Sequence, residues 1–375
     1  MRVIISGGGT GGHLYPAIAL AEQLLQTVIL KKIKKQDILF VGSEYGIEKK
    51  IVPQEGFQIE LLNVTGFVGK SLFAKIKSIY KLLIAFQKTL KILNIFRPKI
   101  VIGSGGYVSI AMLLSAVMKG IPTIILEQNS IPGLANKILG KFVDIICITY
   151  EESSSFFPIN KVYHTGNPIR SKILIAELES AYEIFQLDRQ KKTILIFGGS
   201  KGAHSINTAV FEALPYLLDL KLYIQFIHQT GENDFEEAKE HYRKTGFHAL
   251  VYKFIEKIPE AYKVSSLLIC RAGATTLSEI TAAGKASILI PYPYAASNHQ
   301  EKNALRLEAL GAAKVIKEKN LSGEVLAKEI RKLLNNEEEL HAMELASSSI
   351  GKADAAEKIV SIALSLINKK DSKKH

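Results

Sequence analysis

Arg2-Val-Ile-Ile-Ser-Gly-Gly-Gly-Thr-Gly-Gly-His13 opens the chain, and Pro16 follows three residues later. The apolar run ending at Ser6 reads as a buried strand. The glycines let the backbone turn sharply and let a ligand approach its amides. Pro16 marks the start of a helix predicted to run to Leu25. A helix N-terminus supplies N–H groups and the positive end of a dipole, so this turn suits a phosphate or an oxyanion. A ligand-free turn would need about two glycines, whereas this one has five. Its spacing is not the Gly-x-Gly-x-x-Gly of dinucleotide sites, and it lacks the lysine of a P-loop.

The same strand–turn–helix alternation recurs along the chain. Asp37 to Gly42, Lys99 to Gly103, Pro122 to Glu127 and Phe142 to Thr149 are apolar runs without strict alternation, as expected of parallel strands buried on both faces. The pattern weakens over 150–190, where Ser153-Ser-Ser155, Pro158, Asn167-Pro168 and a polar helix from Glu177 to Phe185 suggest a hinge. It restarts with Thr193 to Phe197, Leu222 to His228, Ala249 to Phe254, Leu267 to Cys270 and Ala286 to Pro291. The expected fold is α/β, with two Rossmann-like halves. A last amphipathic helix is expected from Ala353 to Ile367, and a disordered charged tail from Asn368.

Three further glycine loops follow strands: Gly103-Ser-Gly-Gly-Tyr107, Gly198-Gly-Ser-Lys-Gly-Ala203, and Arg271-Ala-Gly-Ala-Thr-Thr276, which enters a helix carrying Ser278 and Glu279. Open α/β sheets bind ligands at the C-terminal ends of their strands. Four such loops, two in each half, point to a cleft between the halves.

The bulk composition limits the function classes. The 375 residues suit two domains of ordinary size. The two cysteines, Cys147 and Cys270, each end an apolar run, so they form neither a metal motif nor a disulfide framework. Met1-Arg2 leads straight into a strand, unlike a secretory leader, and the longest apolar stretch, Val108 to Met118, is too short to span a bilayer. The net charge of +12 fits anionic lipid, phosphorylated substrates or nucleic acid. No aromatic-interleaved basic motif supports the last of these.

Several motifs, in this order along the chain, resemble the MurG family of lipid-linked N-acetylglucosaminyltransferases. They are Gly8-Gly-Thr-Gly-Gly-His13, Glu127-Gln-Asn129, Gly166-Asn-Pro-Ile-Arg170, Gly198-Gly-Ser200, Arg271-Ala-Gly-Ala-Thr-Thr-Leu-Ser-Glu279 and Asn298-His-Gln300. The similarity runs from about residue 2 to residue 365. It implies a GT-B architecture, two Rossmann-like domains with parallel sheets facing across a cleft. The domains would span 1–168 for acceptor and membrane and 169–350 for the UDP-sugar. A terminal helix, 351–368, would return to the first domain, followed by a charged tail, 369–375. The implied reaction moves N-acetylglucosamine from UDP-GlcNAc to the muramyl sugar of lipid I, with inversion and without a cofactor. The implied place is the cytoplasmic face of the plasma membrane, with other cell-wall synthesis proteins as partners and no nucleic acid.

Carried over position by position, Thr10, Gly11, Gly12 and Tyr107 would contact substrate, and Asn129 and Gln300 would hold the donor sugar. Arg170 and Ser200 would lie near the diphosphate and Ile255 by the uracil. Ala274, Thr275, Thr276, Leu277 and Ser278 would offer amides to the diphosphate, and Glu279 would bind the ribose hydroxyls. Lys201 departs from the family, which has Gln after Gly-Gly-Ser.

The residue chemistry adds its own constraints. The chain has no Asp-x-Asp, so charge growing on the leaving diphosphate calls for amides, a helix N-terminus and cations, with Arg170 foremost. His13 takes or orients the acceptor's proton, or else caps the following helix or binds acceptor phosphate. Glu127 is an alternative base or a polar support for the loop around Asn129. The Glu279 carboxylate can accept two hydrogen bonds from adjacent ribose hydroxyls, the alternative being favourable placement of an acid in a helix's first turn.

Leu72, Ile76, Ile79, Leu83, Phe86, Leu90 and Leu93 form an apolar helical stripe, opposite Lys70, Lys77, Lys81, Lys88 and Lys91. This helix either packs on the sheet with a solvated basic face or meets anionic lipid, aided by Gly66-Phe-Val-Gly69. A nucleotide-sugar epimerase is the competing enzyme class. It would convert the donor without an acceptor.

Overall fold

A computed structural model describes residues 1–27, 33–64, 72–295 and 298–372, without the side chains of 72–80. The chain forms two compact units, Met1–Arg170 with Lys352–His375, and Ser171–Gly351.

In the first unit the described residues hold seven parallel strands: β1 (Val3–Gly7), β2 (Ile38–Ser43), β3 (Gln58–Leu62), β4 (Ile100–Gly105), β5 (Thr123–Glu127), β6 (Ile145–Ile148) and β7 (Val162–His164). Their order is β3-β2-β1-β4-β5-β6-β7. Val3 is in register with Ile38 on one side and Ile100 on the other. The winding therefore reverses between β1 and β4. The crevice at the C-terminal ends of such a pair is where open sheets bind ligands, and here both ends are glycine loops. One face of the sheet packs Leu14, Ile18 and Leu24 of the helix Gly11–Gln26 together with Ile359, Val360 and Ala363 of the helix Ala355–Asp371. The other face packs Ile92 and Leu93 of the helix Leu72–Phe96 with Met112 and Leu113 of the helix Tyr107–Met118.

The second unit repeats the plan. Its strands are β8 (Lys192–Phe197), β9 (Ile224–Gln229), β10 (Ala249–Tyr252), β11 (Leu267–Cys270), β12 (Ser287–Leu289) and β13 (Lys314–Val315). The order β10-β9-β8-β11-β12-β13 puts the reversal between β8 and β11. The third and fourth glycine loops leave these two strands.

Several details differ from the sequence-based expectation. The first helix begins at Gly11, ahead of Pro16, because extended Thr10 caps it and the Thr10 carbonyl accepts from the His13 and Leu14 amides. Strands β3, β7 and β13 were not foreseen; each is a short edge strand without a continuous apolar run. The charged segment expected to be disordered from Asn368 continues the last helix to Asp371. There Lys370 pairs with Asp144 at 2.7 Å and Asp371 with Lys99 at 3.1 Å. On the helix Leu72–Phe96 the packed face is Ala85, Thr89, Ile92 and Leu93, while Leu83 of the expected stripe is 63% exposed. Leu72, Ile76, Ile79 and Lys77 lie outside the described side chains, and Lys70 and Gly66-Phe-Val-Gly69 outside the described residues.

Candidate active site

In the first unit, Thr10, Gly11, Gly12, His13, Tyr107, Glu127 and Asn129 gather at the ends of β1, β4 and β5. The two glycine loops there touch through backbone. A Cβ on Gly106, whose φ is +87°, would lie 3.0 Å from the Gly8 carbonyl oxygen. One on Gly105 would lie 2.4 Å from His13 Nδ1. His13 is thus seated on bare backbone, and its Nδ1 stands 3.0 Å from the Ser104 carbonyl oxygen. A carbonyl only accepts, so Nδ1 carries the hydrogen and the neutral ring has its lone pair on Nε2. Gln128 Nε2 donates to the same Ser104 oxygen at 2.8 Å.

Glu127 is buried and collects four donors. Asn129 N (3.0 Å) and Nδ2 (3.3 Å) reach Oε1, and Gly133 N (3.2 Å) and Asn136 Nδ2 (2.8 Å) reach Oε2. Burial pushes its carboxyl above the usual range, while these hydrogen bonds pull it back. Both oxygens are thereby engaged with the loop that carries Asn129, the geometry of a polar support. At the end of the unit, the Arg170 guanidinium lies 4.4 Å from the Tyr15 ring centroid, a cation–π seat that leaves the charge near the first helix.

A residue the sequence reading passed over holds the first loop. Glu48, fully buried, accepts from Gly9 N at 2.8 Å and Ser43 N at 2.7 Å. A Cβ on Gly8, Gly42 or Gly46 would collide with its carboxylate or stem. Three glycines around one acid were the available signal.

In the second unit, Ser200 and Lys201 are exposed on the loop between β8 and the helix His204–Ala213. Ile255 is buried just past β10. Ala274 to Glu279 form the start of the helix Ala274–Ala282, which Gly273 enters in an extended conformation, with no side-chain cap and no acid in the first turn. First-turn amides have no partner within a helix, so this terminus presents donors and a positive dipole end. Ser278 Oγ turns back to donate to the Ala274 carbonyl at 2.9 Å. Glu279 is buried and accepts from the Tyr262 hydroxyl at 3.3 Å. Gln300 Oε1 accepts from Tyr292 N at 3.0 Å.

Two side chains outside the expected set brace these loops. Gln229 joins the β8 loop to Ile255. Arg271 donates to the Ile290 and Pro291 carbonyls at 3.1 and 3.3 Å and to Ser205 Oγ at 2.9 Å, and it pairs with Glu318. Among the described residues no cluster of three or more His, Cys, Asp or Glu could hold a metal ion.

Two parallel sheets of this topology, each with glycine loops at its switch point, define the GT-B class of sugar-nucleotide enzymes. Within it, the chain belongs to glycosyltransferase family 28, whose N-terminal domain matches residues 3–148 and whose C-terminal domain matches 193–359. It is 52% identical, over 99% of its length and all of the relative's, to a protein of Thermodesulfovibrio yellowstonii named UDP-N-acetylglucosamine–N-acetylmuramyl-(pentapeptide) pyrophosphoryl-undecaprenol N-acetylglucosamine transferase. The crystal structure of Acinetobacter baumannii MurG aligns with a TM-score of 0.75 at 27% identity, covering 97% of this chain and 100% of that one. UDP-GlcNAc 2-epimerase of Neisseria meningitidis shares the fold, with a TM-score of 0.67 at 16% identity over 97% and 100% of the two chains.

Proposed function

We propose that this chain moves N-acetylglucosamine from UDP-GlcNAc to the muramyl sugar of undecaprenyl-pyrophosphoryl-MurNAc-pentapeptide, releasing UDP. The observation that carries the reading is the 52% identity along the whole chain to a transferase of that name. The site chemistry supports it.

In the proposed step the acceptor hydroxyl oxygen bonds to the anomeric carbon as the bond from that carbon to the β-phosphate oxygen breaks. A single displacement of this kind inverts the centre. His13 Nε2 takes the hydroxyl proton, with Nδ1–H anchored on Ser104. UDP leaves with the bonding electron pair. The first-turn amides of Ala274–Ala282, Ser200 and Arg170 oppose the charge that grows on its diphosphate. Thr10, Gly11, Gly12 and Tyr107 line the acceptor side. Asn129 and Gln300 hold the donor sugar, Ile255 borders the uracil, and Glu279 takes the ribose hydroxyls. Glu127 keeps the Asn129 loop in place.

A lipid-linked acceptor calls for a membrane surface. Among the described residues no helix is long and apolar enough to cross a bilayer. Exposed Leu83 and Ile84 on the helix Leu72–Phe96, with Lys81, Lys88 and Lys91 beside them, support peripheral contact with anionic lipid on the cytoplasmic face. Vesicles of anionic lipid should retain the protein at low salt, and failure to do so would remove this part of the reading.

The test of the reaction is UDP release from UDP-GlcNAc, with and without a lipid I analogue, in EDTA. Acceptor-dependent release is expected. Conversion of the donor sugar without acceptor would overturn the reading in favour of an epimerase.

A further inference from the structure

We propose that Gln229 is a positioning residue that fixes the spacing between the base and diphosphate subsites of the nucleotide donor. This rests on the donor reading above, which puts Ile255 by the uracil and Ser200 by the diphosphate.

Gln229 ends β9, the strand flanked by β8 on one side and β10 on the other. Its side chain is only 4% exposed. Nε2 donates to the Gly199 carbonyl at 2.8 Å, in the loop that leaves β8. Oε1 accepts from Ile255 N at 2.7 Å, in the segment that leaves β10. One planar amide thus uses its donor end on one loop and its acceptor end on the other. Ser200 follows directly on the first anchor, and Ile255 is itself the second.

The surrounding backbone leaves this link little slack. Gly202 has φ +77°, and a Cβ there would lie 1.8 Å from the Thr230 carbonyl oxygen. Gly231 has φ +83°, and its Cβ would lie 2.1 Å from the Lys201 carbonyl oxygen. The β8 loop is therefore pressed against the end of β9, and Gln229 carries that constraint across to Ile255. Glutamate is near-isosteric but meets the Gly199 carbonyl with an acceptor. Leucine supplies neither hydrogen bond. Both leave a buried polar group unpaired.

A fixed spacing matters to a ligand that spans both subsites, because preorganised anchors spare it the cost of ordering them. A ligand that uses one subsite alone gains little. The test therefore compares UDP with uridine on full-length Gln229→Glu and Gln229→Leu proteins, by calorimetry and by competition. It adds donor and acceptor KM and the melting temperature. The UDP Kd and donor KM should rise about ten-fold, the size of one lost buried hydrogen bond. Uridine affinity and acceptor KM should stay within about three-fold, less than such a loss would produce. Both variants should melt somewhat lower, the cost of an unpaired buried polar group, and the Glu variant, which keeps the Ile255 contact, carries the test if the Leu variant folds poorly. UDP affinity left intact, or UDP and uridine weakened equally with wild-type binding normal, would overturn the positioning role alone. A wild-type protein that bound no UDP would overturn the donor reading with it.

Discussion

The glycine loop after β1 and the glycine loop after β8 hold equivalent places in two units of the same topology, yet different charges hold them. Behind the first stands a buried carboxylate, Glu48 under Gly9, and a second, Glu127, holds the neighbouring Asn129 loop. Behind the second stand a neutral amide, Gln229, and a guanidinium already paired with Glu318. The same topology thus carries acidic braces in the first unit and a neutral amide brace in the second, and in the proposed reaction these sides hold the proton acceptor and the diphosphate.

The sharpest way to break this contrast is at His13. His13→Ala should lower kcat by about 10²- to 10⁴-fold, the range for losing a general base, with donor KM little changed. Near-normal turnover would remove the base role and leave His13 an acceptor-phosphate ligand.

Glu48→Gln tests the first unit's carboxylate brace. An amide there must turn N–H toward one of two backbone donors, Gly9 N or Ser43 N. The expected loss is about 1–3 kcal/mol of stability, the cost of an unpaired buried donor, read as a lower urea midpoint. An unchanged midpoint would mean that water or a shifted loop replaces the carboxylate.

Two buried groups, one in each unit, should also respond oppositely to acid. His228 is buried, with Nδ1 3.1 Å from the Tyr242 hydroxyl and Nε2 3.1 Å from Asn207 Oδ1. Burial pushes its pKa down to about 3, with Asp234 pulling weakly the other way. Its folded value lies below its unfolded value, so its contribution is full above pH ~6.5 and falls as pH drops toward 3. The slope is about 1.4 kcal/mol per pH unit, so roughly 2 kcal/mol is gone at pH 5. Urea unfolding at pH 5 and 7.5 should show this loss, and His228→Gln should flatten it. Glu127 works in the other sense, since its raised carboxyl favours the folded state more as pH falls.

The smallest effect is expected at Lys201. It is exposed, so Lys201→Gln should change donor KM by only about two- to three-fold and reduce its salt dependence. A ten-fold change would make Lys201 a direct phosphate ligand.

The sequence revealed the parallel-sheet plan because central strands such as Ile4-Ile5 and Ile194-Leu195-Ile196 are buried on both faces and read as unbroken apolar runs. Edge strands β3, β7 and β13 escaped because one side lacks a neighbour and polar residues are tolerated there. Leu83 was misplaced because helical spacing gives a stripe but not which part of it meets the sheet. The glycine loops were legible, whereas the side chains bracing them were not. Glu48 sits in Ser43-Glu-Tyr-Gly-Ile-Glu48, where Glu44 is an equally plausible acid by spacing. Gln229 sits in a polar strand end whose partners lie 30 and 26 residues away, a relation only the strand order reveals.

The division of labour between the units is tested most directly by titrating UDP calorimetrically into His13→Ala and Glu279→Ala. His13→Ala should bind UDP like the wild type while its turnover is lost. Glu279→Ala should bind UDP about ten-fold more weakly, as expected for a lost charge-assisted hydrogen-bond pair. Equal loss of UDP affinity in both variants, or none in Glu279→Ala, would contradict the assignment of the donor to the second unit and the proton transfer to the first.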